Sequence, residues 1–225
     1  MASPPLSIDK RVAVAVERIL KNITVDVVSF REGDPFKLLI AVILSQRTSR
    51  ENVRAALRKF ERKFNDISDV ARASVREIGE AIRRAGLWKQ KAPRIKKIAQ
   101  QLLEMGGLEK ILKLPYEEAR VALSSMKGIG PKTADVFLMF TRGDPVFPVD
   151  THISRIMHRL GVAGDRDGYE DLRRKLESVT PPEKRMQAHI ALIEFGREIC
   201  TARSPKCQSC FLIDICQYGM KIVEK

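Results

Sequence analysis

Cys200, Cys207, Cys210 and Cys216 are the only cysteines of the chain, spaced C-x6-C-x2-C-x5-C, all beyond position 199. Four soft thiolates on one short segment can meet at a metal centre without closing a long loop. A disulfide pair is the least expected use of them. The opening MASPPLSIDKRV lacks the apolar core of a secretory leader, so a reducing, cytoplasmic setting is expected. Structural zinc more often takes two close Cys pairs, and only Cys207 and Cys210 form one. The spacing favours an iron–sulfur cluster held by all four thiolates, with zinc left open.

A second constellation is Met126-Lys127-Gly128-Ile129-Gly130-Pro131-Lys132-Thr133-Ala134. Glycines at both hairpin positions allow positive φ and remove the Cβ atoms that would block a close approach. Pro131 opens a helix whose exposed amides and positive dipole end suit a phosphate. Lys132 lies in that first turn, where the dipole disfavours a cation. Burial against VFLMF (136–140) would act in the same direction and free the amine as a nucleophile. On position alone, a phosphate-contacting or solvated lysine is the better explanation. Asp150, in FPVDTHI, opens the helix THISRIMHRL, and an ordinary N-cap accounts for it by itself. His152 and His158, six apart, fall on different helix faces and make no metal pair.

These groups must be positioned by helices. Asp34-Pro35 is an N-cap and first-turn proline before FKLLIAVIL (36–44), apolar on every side and therefore central to a bundle. Amphipathic stretches follow over about 50–62, 74–85, 90–104, 116–125, 131–142, 151–160, 167–178 and 183–199. VDVVSF (25–30) is the only strand-like hint, and MASPP and KIVEK are expected to fray. No apolar run reaches the ~20 residues of a membrane span. The formal charge is +13, which points to a polyanion. RRAGLWKQKAPRIKK (83–97) is basic without one acid and places Leu87 and Trp88 on a Gly86 turn, an apolar tip ringed by cations. Such a tip could hold and wedge open a duplex.

Taken in order, KGIGPKTADVFLMF, VDTHISR and the cysteine ending look like the endonuclease III family of DNA glycosylases. GDPFKLLIAVILSQRTS and RAGLWKQKAPRIKKIA resemble that family's buried helix and its two wedge loops, so the similarity covers nearly the whole chain. The resemblance implies an all-α fold of two lobes with a cleft between them. Residues 27–143 would form a six-helix barrel carrying the helix–hairpin–helix motif. Residues 1–26 and 144–225 would form a lobe holding a [4Fe–4S] cluster on the four cysteines. It places the catalytic lysine on Lys132 and the catalytic aspartate on Asp150.

For DNA contacts it implies Leu87 as a wedge, Lys91 in G-L-x-x-x-K-A, and Lys127, Gly128, Gly130 and Thr133 in the hairpin. Arg203 and Lys206 match a phosphate-holding loop between the first two cysteines. The gap-filling residue is open between Gln46 and Arg47, because ILSQRTSR departs from the S-x-Q-x-x-D pattern by placing Arg50 where an acid is usual. The implied activity is base-excision repair. The enzyme would flip oxidised pyrimidines from duplex DNA, cleave the glycosidic bond and cut at the abasic site by β-elimination. Duplex DNA bearing damaged pyrimidines or abasic sites is the expected partner, with a monomeric, nucleoid-associated protein and no membrane. A monofunctional thymine/uracil or adenine glycosylase is the alternative. Such relatives usually lack a lysine here, and the adenine-specific ones extend well past the cluster. A non-catalytic DNA-binding or electron-transfer iron–sulfur protein is a further one.

Overall fold

The caps read from the sequence form as hydrogen bonds. Asp34 Oδ1 accepts the Phe36 amide at 2.7 Å and starts helix α2 (Pro35–Leu44). The computed structural model describes residues 6–25 and 34–223, and every regular element among them is helical. Among those residues, no helix is long and apolar enough to cross a membrane. The chain divides into two compact units, one of Arg31–Asp144, the other of Met1–Phe30 with Pro145–Lys225.

In the first unit α2 is followed by α3 (Arg50–Lys63), α4 (Ile67–Arg72), α5 (Val75–Ile82), α6 (Trp88–Glu104), α7 (Leu108–Leu112), α8 (Tyr116–Ser124) and α9 (Pro131–Arg142). Leu39, Ile40, Ile43 and Leu44 of α2 are fully buried in a core shared with Phe60, Ile78, Ile95, Ile98 and Phe137. A helix apolar all round has no water-facing side, so neighbours cover it, as its composition required. A buried ion pair joins α8 to α9, with Arg120 Nε 2.7 Å from Asp135 Oδ1 and the Tyr116 hydroxyl donating to the same oxygen at 2.7 Å.

The second unit contains α1 (Ile8–Asn22), α10 (Thr151–Leu160), α11 (Tyr169–Val179), α12 (Arg185–Glu198) and α13 (Gln217–Val223) around Val16, Ile19, Phe147, Ile156, Leu176 and Phe195. α10 and α12 cross closely at Gly196, where a Cβ would lie 2.8 Å from the Cβ of His152.

Helices appear where periodicity placed them, with ends moved by up to three residues. α4, α7 and α13 are additional, and α1 falls in the 1–26 segment that the resemblance assigned to the cluster lobe. Residues 221–223 continue α13 instead of fraying. MASPP and 26–30 of the strand-like VDVVSF lie outside the described residues.

Candidate functional site

The hairpin between α8 and α9 turns on one tight bond, the Ile129 amide to the Met126 carbonyl at 3.0 Å, with both side chains buried. Gly128 has φ +109, a conformation that needs glycine. Gly130 differs from the sequence expectation. Its φ is −89, and a Cβ there would meet nothing within 4 Å. Among the described residues nothing requires glycine at 130, and the lack of a Cβ leaves its backbone open to an approaching group. Among the described residues no hydrogen bond uses the amides of Gly128 or Gly130, and Lys127 is exposed beside them. Unspent amides next to a helix N-terminus form an anion site. Thr133 does not extend it: its side chain is buried and its amide donates to the Gly130 carbonyl at 2.9 Å. Lys132, the second residue of α9, is half-buried.

Two loops of the same unit hold the expected wedges. Arg47 (φ 56) and Leu87 (φ 49) are the only non-glycine residues with positive φ among the described residues. Leu87 stands 42% exposed as the cap residue of α6. Trp88 is half-buried against Gly79, so the apolar tip is Leu87 alone. Arg47 is exposed, whereas Gln46 is half-buried and its Oε1 accepts from Arg94 Nη1 at 3.2 Å.

Lys91 is a correction. The side chain is only 2% exposed and cannot reach a phosphate. Its ammonium donates to the carbonyls of Leu44 (2.8 Å), Gln46 (2.9 Å) and Ala85 (3.0 Å), which uses all three donors inside the protein. Burial, then the nearby Arg94 charge, pushes its pKa down. A lysine within a basic run reads as a solvated side chain, and only the fold shows otherwise.

Asp150 lies in the other unit as the N-cap of α10. Its Oδ1 accepts the amides of His152 and Ile153, both at 2.9 Å. Both bonds use one oxygen, so they orient the carboxylate and leave Oδ2 outside the cap. It borders an open depression with Thr151, Ser154, Arg155 and His158.

α10 also reaches the cysteine segment. Arg155 Nη2 donates to the carbonyls of Gly196 (2.7 Å) and Cys200 (2.9 Å). Arg159 donates to those of Thr201 (2.7 Å) and Ala202 (2.9 Å), and its guanidinium lies 4.6 Å over the Tyr218 ring. Neither arginine was singled out from sequence. Their spacing i, i+4 on α10 was the available signal. From α1, Arg18 pairs with Asp214 and donates to the Phe211 carbonyl at 3.1 Å.

The four cysteines line one cavity, walled by Ile156, Leu160, Phe195 and Leu212. The donor set fits a cluster. Arg159 Nη1 approaches Cys200 Sγ at 3.3 Å, and the Gly219 amide approaches Cys216 Sγ at 3.4 Å, the kind of donors that support ligating sulfurs. Burial pushes the Cys207, Cys210 and Cys216 thiols up, so ligation to iron is what holds them as thiolates. Arg203 and Lys206 stand exposed in the loop that the Lys206 amide closes onto the Ile199 carbonyl at 3.0 Å.

Residues 40–182 match the HhH-GPD superfamily of base excision DNA repair proteins, and residues 200–216 match the iron–sulfur binding domain of endonuclease III. Endonuclease III of Thermotoga maritima is 34% identical over 194 residues, covering 84% of this chain and 85% of the relative. A non-covalent endonuclease III–DNA complex superposes with a TM-score of 0.84 at 29% identity, covering 98% of this chain and all of that one. A trapped endonuclease III–DNA covalent intermediate gives a TM-score of 0.82 at 28% identity, covering 97% and 99%. With its all-α helix–hairpin–helix fold and a [4Fe–4S] centre on its cysteines, the chain belongs to the endonuclease III family of base-excision DNA glycosylases with AP-lyase activity.

Proposed function

We propose that the chain acts on oxidised pyrimidines in duplex DNA, with Lys132 as nucleophile and Asp150 as the carboxylate that assists it. The target nucleotide must leave the stack before its glycosidic bond can be reached. Leu87 enters the gap on one side, and Gln46 or Arg47 fills the place of the flipped base. The hairpin amides hold a phosphate nearby. The neutral Lys132 amine bonds to C1′ as the C1′–N bond breaks, and the base leaves with the electron pair and takes up a proton. Ring opening gives an imine at C1′. Its electron demand acidifies C2′, and loss of that proton expels the 3′-phosphate in β-elimination. Asp150 stabilises positive charge as it develops on the sugar.

The observation that carries this reading is the place of Lys132, one residue into the helix that follows a hairpin with unspent amides. The covalent intermediate of the solved relative is in keeping with it. The cluster supplies no step here. It is a structural staple that presents Arg203 and Lys206 to the backbone. Two lobes, 27–143 with the hairpin and 1–26 plus 144–225 with the cluster, are the organisation this assigns. The protein would work as a monomer in the cytoplasm.

Borohydride added with a thymine-glycol duplex should trap a covalent complex, and Lys132→Gln should abolish both trapping and strand cleavage. Base release without trapping would make the chain monofunctional. Binding without release would reduce it to a DNA-binding module.

A further inference from the structure

Lys91 is used neither by the chemistry nor by the DNA contacts, yet it is the most completely enclosed cation among the described residues of the first unit. Its three acceptors lie in or at the base of two loops far apart in sequence. Leu44 and Gln46 precede Arg47, and Ala85 lies two residues before Leu87. Those loops hold the only two non-glycine residues with left-handed backbones among the described residues. Such conformations persist only where the surroundings over-determine them. Arg94, one turn further along α6, adds a second link by donating to the Gln46 side chain.

We infer that Lys91 is a positioning residue that fastens the two wedge loops to each other, so that the leucine and the gap-filling residue enter the duplex as one two-pronged tool. The inference rests on the proposed wedge roles of Leu87 and Gln46 or Arg47. Three carbonyls of two chain segments converge on one ammonium. Without it the loops would keep their residues but lose their fixed separation. A separation error of about an ångström between groups that must act together can cost up to about a hundredfold.

The test compares substrates that do and do not need the wedge. Lys91→Met removes the ammonium while keeping a long apolar stem, and Lys91→Gln retains two N–H donors. Single-turnover base release from a paired thymine-glycol duplex should fall about tenfold or more in Lys91→Met and less in Lys91→Gln. Fluorescence of 2-aminopurine placed beside the lesion, which reports unstacking, should lose amplitude in the same order. β-Elimination at an abasic site in single-stranded DNA should keep its wild-type rate, and a lesion in an already open bulge should recover most of the loss. Equal losses on single-stranded and duplex substrates, or no loss on the duplex, would overturn the proposal. Failure of both variants to fold would also overturn it, by making Lys91 a stability element only. Leu87→Ala separates the two readings. If it leaves duplex base release intact, the wedge assignment itself fails. If it slows release while Lys91→Met does not, only the positioning role fails.

Discussion

Gly128 and Gly130 are two residues apart in one hairpin, yet different constraints act on them. The φ of +109 at Gly128 is closed to other residues at a cost of about 1–3 kcal/mol, and a Cβ there would also displace the Arg94 side chain. Gly130, at φ −89 with open space around it, accepts alanine without strain. Gly128→Ala should therefore lower the thermal midpoint, whereas Gly130→Ala should change stability by less than about 1 kcal/mol while weakening duplex affinity severalfold. Calorimetry beside a binding titration separates the two. Asp150 divides in the same manner. Asn is as good an N-cap as Asp, so Asp150→Asn should keep fold and affinity and lose turnover. Asp150→Ala should also cost about 1 kcal/mol of stability, by loss of the two amide bonds.

At the scale of elements, the cysteine segment is held by side chains from helices remote in sequence. Arg18 of α1 grips Asp214, and the arginine holds that carboxyl below its usual range. A depressed folded-state pKa adds stability above the unfolded value of about 3.9 and loses it as pH falls through the folded value. The tether is thus complete at neutral pH. Asp214→Asn should speed chelator-driven bleaching of the cluster's visible absorbance by a few-fold at most, since an exposed pair is worth about 1 kcal/mol or less.

Elements of this kind were unequally legible in the sequence. Asp34, Asp150, Pro131 and the glycine turns are local signals acting over three or four residues, so they marked helix ends and the hairpin well. α4, α7 and α13 have too few turns for a period to show. Lys91 was misread because two of its three partners lie 45 and 47 residues earlier in the chain, and burial of a lysine there depends on tertiary structure. Gly130 was misread for the opposite reason: it looked as though its backbone demanded glycine, and its φ of −89 is open to any residue.

For the whole molecule, a charge of +13 makes duplex affinity strongly salt-dependent. Removing Lys127, Arg203 or Lys206 should each reduce the slope of log K against log salt by about 1, alike for all sequences. A side chain that does not touch phosphate would leave the slope unchanged, which makes Lys91→Met a useful control in the same titration.

The close crossing at Gly196 bears on how variants of this protein would be interpreted. Any side chain at 196 meets His152, two residues past the Asp150 cap, at the residue whose carbonyl Arg155 holds. Position 196 would then score as intolerant in a survey of random substitutions, much as a reacting residue does, although it touches neither substrate nor iron. Inactivity there would report a helix displaced by a methyl group, and a map of the active site drawn from loss-of-function positions alone would include it in error.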